Sequence, residues 1–219
     1  MTFSTVLFDL DGTLTDPFTG ITRSIQYALE KMGTPVPEAA ELKWCIGPPL
    51  WESFAVLLNT ADRALQDQAV AFYRERYTRE GLFENTLISG ISELVGGLAA
   101  KGCKLFVATS KPHAYAGKIV EHFSLMPHFS KVYGSELDGT RSAKAELIAY
   151  LMAQEGLSHE ECVMIGDRKH DLIGARANQM ASVGVTWGYG SRSELLGESP
   201  NAVLDTPAEL GRWLDSGHE

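Results

Sequence analysis

Short apolar runs alternating with helical repeats are the feature that most restricts how this 219-residue chain can fold. The runs are TVLFDL (Thr5 to Leu10), KLFVA (Lys104 to Ala108), CVMI (Cys162 to Ile165), ASVGV (Ala181 to Val185) and AVL (Ala202 to Leu204), with a further candidate from Lys131 to Tyr133. A short, β-branched or aromatic run bounded by turn residues reads as a buried strand. Between the runs, Ile91, Leu94, Val95 and Leu98 recur at helical spacing before a stop at Gly102. Ala143 to Met152 and His170 to Asn178 supply comparable segments. Repeated βα units of this kind pack as a parallel sheet flanked by helices, so the expected class is α/β.

Residues 17–83 break the rhythm, with helical patterns such as Ala69 to Arg79 and almost no strand signal. At roughly 65 residues the stretch far exceeds the ~2–6 residues of an ordinary βα connection. It is therefore expected to be a smaller, all-helical cap inserted after the first strand, with residues 1–16 and 84–219 forming the α/β core. Gly47-Pro48-Pro49 divides it into subsegments.

Hydrophobic residues make up 44% and charged residues 21%, which fits a folded chain rather than a disordered one. Lys and Arg total 19 against 28 Asp and Glu, a formal net charge of −9, and no basic run could track a phosphate backbone. A nucleic acid polymer is thus not an expected partner. Cys45, Cys103 and Cys162 are widely spaced and form neither a CxxC pair nor a Cys/His cluster, which suits a reducing compartment. No leader pattern or bilayer-length apolar stretch is evident, so a soluble cytoplasmic protein without a membrane partner is expected. The six histidines show no metal-ligand spacing.

Asp9-Leu10-Asp11-Gly12-Thr13 places two carboxylates at i and i+2 where the first strand ends, on one side of the chain. At ~4 Å and an effective dielectric of about 20, such a pair repels by roughly 4 kcal/mol, so it needs a cation or a shared proton. One carboxylate could act as a nucleophile and the other move a proton, or both could simply hold a metal. Gly12 would let the chain turn closely around a phosphate. Gly166-Asp167-Arg168-Lys169-His170-Asp171 brings further acids to the end of another strand, where hard oxygen donors suit Mg²⁺. Asp171 could equally cap the following helix. Thr109-Ser110-Lys111 offers a hydroxyl and backbone N–H groups for a phosphate oxygen, or an ordinary helix cap. Lys144, just before a helix, could neutralise a transferring phosphoryl group or lie at the surface.

These four pieces, in this order, resemble the haloacid dehalogenase superfamily of phosphatases across nearly the whole chain. DLDGT resembles the first motif, Thr109 the second, Lys144 the third and GDxxxD at Asp167 and Asp171 the fourth. The resemblance implies a Rossmann-like core and Mg²⁺-dependent hydrolysis of a small phosphorylated metabolite. By it, Asp9 is nucleophile and metal ligand, and Asp11 is acid, base and carbonyl ligand. Asp167 completes the metal ligands and Asp171 orders their surroundings. Gly12, Thr13, Thr109 and Ser110 hold phosphate, and Lys144 offsets charge on Asp9. Arg168 and Ser110 depart from the commonest family pattern. Arg168 is open to two readings, substrate contact or pairing with a nearby acid. The retained Asp11 argues against dehalogenation. Ile46-Gly47-Pro48-Pro49-Leu50 resembles the substrate-facing cap loop of the phosphoglycolate phosphatase-like branch, which includes enzymes of nucleoside monophosphates. A rigid interhelical turn is the other reading of Gly47. A phosphomutase would carry the same four motifs, and a non-catalytic phospho-ligand or signalling protein is the alternative from another class. Monomers and small homo-oligomers are both compatible with the sequence.

Overall fold

The computed structural model describes residues 3–216. Its strands are β1 (Thr5–Phe8), β2 (Thr15–Asp16), β3 (Thr86–Leu87), β4 (Lys104–Pro112), β5 (Lys131–Ser135), β6 (Cys162–Gly166), β7 (Ala181–Val185) and β8 (Ala202–Leu204). Six of them form one sheet in the order β5-β4-β1-β6-β7-β8, and β2 and β3 form a separate two-stranded sheet. Every pairing in the larger sheet is parallel, as the α/β class requires. The helices are α1 (Phe18–Lys31), α2 (Leu50–Leu57), α3 (Arg63–Arg76), α4 (Ile91–Ala100), α5 (His113–His122), α6 (Lys144–Glu155), α7 (Lys169–Ala177), α8 (Arg192–Leu196) and α9 (Pro207–Asp215). None among the described residues is long and apolar enough to cross a membrane. The chain divides into two compact units, one running to Asp16 and resuming at Leu87, the other Pro17–Thr86.

In the sheet unit, all four residues of β1 are buried because the strand has β4 on one side and β6 on the other. Its side chains alternate between faces. Leu7 packs with Phe106 of β4 and Met164 of β6 beneath Leu147 and Leu151 of α6. On the other face, Phe8 meets Phe129 edge to face, with centroids 6.1 Å apart. A strand covered on both faces has no use for polar alternation, which is why these runs are continuously apolar. Counting outward, β1, β4 and β5 step one way and β6, β7 and β8 the other. The order therefore reverses between β1 and β6, and open α/β sheets bind ligands beyond the carboxyl ends of strands at such a point.

The helical unit packs a buried stripe of α1, comprising Ile21, Ile25, Ala28 and Leu29, with Ala69, Val70 and Tyr73 of α3 also buried. Phe54 of α2 meets Tyr73 edge to face, and Tyr73 stacks on Tyr77 with centroids 5.1 Å apart. The sequence pattern places a helix over 69–79; α3 instead starts at Arg63, where Asp62 accepts the N–H of Ala64 at 2.8 Å, and ends at Arg76, before a wider π turn over 77–81. The unit also runs three residues past Phe83, to Thr86. Glu84 holds this segment, since its carbonyl accepts the Gly20 N–H at 3.0 Å and its carboxylate pairs with Arg23 and Arg76, each at 2.8 Å. Ile46 is fully buried, and Gly47 has φ +107° at the turn before Pro49 and α2.

Because Leu7 is fully buried in the centre of the sheet, Leu7→Ala should cost about 2–5 kcal/mol. The expected readout is a lower urea midpoint at unchanged m-value.

Candidate active site

The parallel register delivers the motif residues to one place. Phe8 pairs with Val107 of β4 and Ile165 of β6, and the Asp9 N–H continues the ladder by donating to the Ile165 carbonyl at 2.9 Å. Asp9 therefore stands beside Gly166, with Asp167 one residue further along the neighbouring strand and Thr109 just past Ala108 on the other. After Leu10 the chain turns tightly, with the N–H groups of Leu14 and Thr15 both donating to the Leu10 carbonyl. Gly12 sits in this turn at φ +84°, and a Cβ there would lie 2.2 Å from Asp167 Oδ2. Only glycine satisfies both the backbone and the space.

Lys144, the first residue of α6, reaches back to this point. Its Nζ lies 2.9 Å from Asp9 Oδ1 and 2.8 Å from Asp171 Oδ1, and donates to the Ala108 carbonyl at 2.8 Å. Asp171 sits in the first turn of α7, where its other oxygen accepts the Arg168 N–H at 3.2 Å. It thus serves as the helix cap that the sequence allowed, while its Oδ1 pairs with the Lys144 ammonium. Asp167 is fully buried; Oδ1 accepts from the Thr13 hydroxyl at 3.3 Å and Oδ2 from the Tyr189 N–H at 2.7 Å. Asp11 pairs through Oδ2 with Lys111 Nζ at 2.7 Å.

Four buried carboxylates, Asp9, Asp11, Asp167 and Asp171, thus face two buried ammonium groups, Lys111 and Lys144. If all ionise, two negative charges remain in excess. Burial accordingly raises the Asp167 carboxyl well above its usual range, helped by the charges of Asp171 and Asp9. Burial likewise raises Asp171 and Asp11, outweighing the opposing pull of Lys144 on the first and Lys111 on the second. Burial alone would lower Lys144, but Asp171 and Asp9 hold it above the ordinary lysine value and keep it charged. The excess calls for protons or for a divalent cation. Asp9, Asp167 and Asp171 each offer a carboxylate oxygen within 4.8 Å of the others, a donor set that fits a hard cation.

Of the residues singled out in the sequence, Asp9, Asp11, Gly12, Thr13, Thr109, Ser110, Lys144, Asp167, Arg168 and Asp171 all belong to the sheet unit, and Gly47 belongs to the helical one. Thr109 and Ser110 do not start a helix. β4 runs on to Pro112 with a register irregularity between Thr109 and Pro112, and α5 begins at His113. Thr109 is buried, and the Ser110 carbonyl accepts from Ser135 Oγ at 2.8 Å. Arg168 pairs through Nε with Glu194 at 3.0 Å. Two participants escaped sequence reading. Lys111 carries no signal of its own in the sequence, although an extended continuation of β4 places it on the same side as Thr109. Tyr189 gave no signal, because it serves Asp167 through its backbone; its phenol hydrogen-bonds Asp16.

Residues 6–185 match the family model for haloacid dehalogenase-like hydrolases. The chain is 48% identical over 214 residues to a 5'-nucleotidase of Pseudomonas aeruginosa, covering 98% of this chain and 96% of that protein. It is 38% identical over 205 residues to the tyrosine-protein kinase PtkA of Mycobacterium tuberculosis, covering 94% of this chain and 69% of that protein. The crystal structure of a predicted phosphatase from Clostridium acetobutylicum superposes with a TM-score of 0.94 at 40% identity, covering 98% of this chain and 99% of that one. With the parallel sheet and the carboxylate-lysine cluster already described, these likenesses make the chain a phosphatase that belongs to the haloacid dehalogenase-like hydrolase family.

Proposed function

We propose that this phosphatase hydrolyses a small-molecule phosphate monoester, with nucleoside monophosphates as first candidates and phosphoglycolate as the second, through an aspartyl-phosphate on Asp9. The supporting observation is the convergence of Asp9, Asp167 and Asp171 around Lys144, with Asp11 two residues from Asp9. In this reading a carboxylate oxygen of Asp9 attacks phosphorus while the bond to the leaving oxygen breaks. Asp11 gives its proton to that oxygen. Ionised Asp11 then takes a proton from water, whose oxygen attacks phosphorus as the bond to Asp9 breaks, freeing phosphate and regenerating the carboxylate. Lys144 balances charge on Asp9, and Thr109, the Ser110 N–H and the Gly12-Thr13 turn hold the phosphoryl oxygens. Mg²⁺, held by Asp9, Asp167 and the Asp11 carbonyl and ordered by Asp171, would supply the positive charge that the excess of carboxylates and the phosphate oxygens both call for.

The nucleotide preference rests on the name of the 48%-identical relative. Substrate choice is assigned to the helical insertion, with Gly47 and its neighbours as candidates, whereas the Glu194 pair favours a structural role for Arg168. The partner is a small phosphorylated metabolite rather than a polymer or a membrane, in keeping with the net charge of −9, and the setting is the cytoplasm.

Phosphate release from nucleoside monophosphates, phosphoglycolate and sugar phosphates, with Mg²⁺ and with chelator, tests this reading. Asp9→Asn should lose at least about 10³-fold in kcat/KM on every substrate. Turnover that survives this substitution would remove Asp9 as nucleophile.

The raised carboxyls also give pH dependence a sign. Their folded values lie above the unfolded 3.8, so without metal their stabilising contribution is full at low pH and fades as pH rises through the folded values. A cation must displace the protons of Asp167 and Asp171, so the stabilisation on adding Mg²⁺, read as a rise in Tm, should grow as pH rises through the Asp171 value of about 6, approaching roughly 2.7 kcal/mol at a hundredfold excess over Kd. Asp167→Asn should abolish it. A shift that ignores pH and survives in that variant would contradict the metal assignment.

A further inference from the structure

Lys111 is paired with Asp11 beside the chemistry but has no part of its own in the scheme above. Its two side chains are only 5% and 10% exposed and meet at 2.7 Å. Burying an ammonium group is costly unless its partner is well placed, so such a pair calls for a purpose beyond surface solvation. Lys111 is also unusually well anchored. Its N–H donates to Thr109 Oγ1 at 3.2 Å, and its carbonyl passes so close to β5 that a Cβ on Gly134 would lie 2.4 Å away. The ammonium is therefore delivered by the irregular end of a central strand, held on both sides, rather than by a surface loop.

The two oxygens of Asp11 are not equivalent. Oδ2 is taken by Lys111, whereas Oδ1 is buried and no protein group donates to it among the described residues. Proton transfer is sensitive to the orientation of the transferring group, and a carboxyl free to rotate spends part of its time facing the wrong way.

We propose that Lys111 is a positioning residue for Asp11, pinning Oδ2 so that Oδ1 is the atom that exchanges a proton with the leaving oxygen and then with water. The inference rests on the reading of Asp11 as the proton donor, and its test separates the two. When the phosphorus-oxygen bond breaks, an alkoxide leaving group needs the proton of Asp11, whereas p-nitrophenolate is stable as an anion and does not. Lys144, not Lys111, is the cation beside the nucleophile, so loss of Lys111 should weigh on the leaving group rather than on phosphoryl transfer as such.

The measurement is kcat/KM, which reports the step that forms the aspartyl-phosphate, for p-nitrophenyl phosphate and for the best alkyl ester among the panel substrates. Both are assayed on one sample of each variant, so the ratio is independent of the fraction of folded protein. Lys111→Met should lose at least about tenfold on the alkyl ester and less than about threefold on the aryl ester, the selective pattern of impaired general acid catalysis. Lys111→Arg, which keeps a charged donor, should recover part of the alkyl activity. Asp11→Asn should show the same selectivity at larger size. Equal losses on both esters in Lys111→Met and Lys111→Arg, with Asp11→Asn still selective, would overturn the role of Lys111 alone. Equal losses in Asp11→Asn would instead overturn the reading of Asp11 on which it depends.

Discussion

The ammonium of Lys144 is the point on which the rest of this structure turns. It closes the space between Asp9 and Asp171 and takes the Ala108 carbonyl, thereby joining β1, β4, α6 and α7 at one atom. Without it, buried carboxylates from neighbouring elements would repel across a few ångströms in a medium that screens poorly. With it, the sheet can end in a dense group of acids while its apolar interior continues undisturbed one residue below. Lys111 repeats the device on a smaller scale for Asp11. Neither pair neutralises the group as a whole, and this remaining imbalance is what the proposed metal would answer.

The strands β1, β4 and β6 supply Asp9, Thr109 and Asp167 because they lie side by side in the sheet, although more than 90 residues separate the first two in sequence. Parallel register turns three distant segments into a shared rim. The helices α6 and α7 add Lys144 and Asp171 from their first turns. Most of this was legible in the sequence, because an apolar run followed at once by an acid or hydroxyl marks both where a strand ends and what it presents. The continuous apolar run in TVLFDL, for instance, is explained by Leu7 and Phe8 packing on opposite, equally covered faces.

What was not legible has a common physical cause. Lys111 depends on the chain staying extended past Thr109, and the pattern that marks a strand had already ended at Ala108. Tyr189 contributes a backbone N–H, which no side-chain pattern can announce. The later exit from the helical unit follows from Glu84, whose pairing with Arg23 and Arg76 involves residues 61 and 8 positions away. The start of α3 depends on Asp62, a cap that lies outside the apolar repeat used to find the helix. Each case lies outside the local apolar periodicity, either as a neighbouring cap such as Asp62 or as a contact made by the tertiary fold.

Asp171 carries a different lesson. One of its oxygens starts α7 through the Arg168 N–H, and the other faces Lys144. Truncation at this position would therefore conflate two defects, a frayed helix and a misplaced ammonium. An asparagine retains an acceptor for the amide while discarding the charge, whereas an alanine discards both. Comparing the two separates the scaffold's share of Asp171 from its electrostatic share, a distinction that a conventional alanine scan would miss.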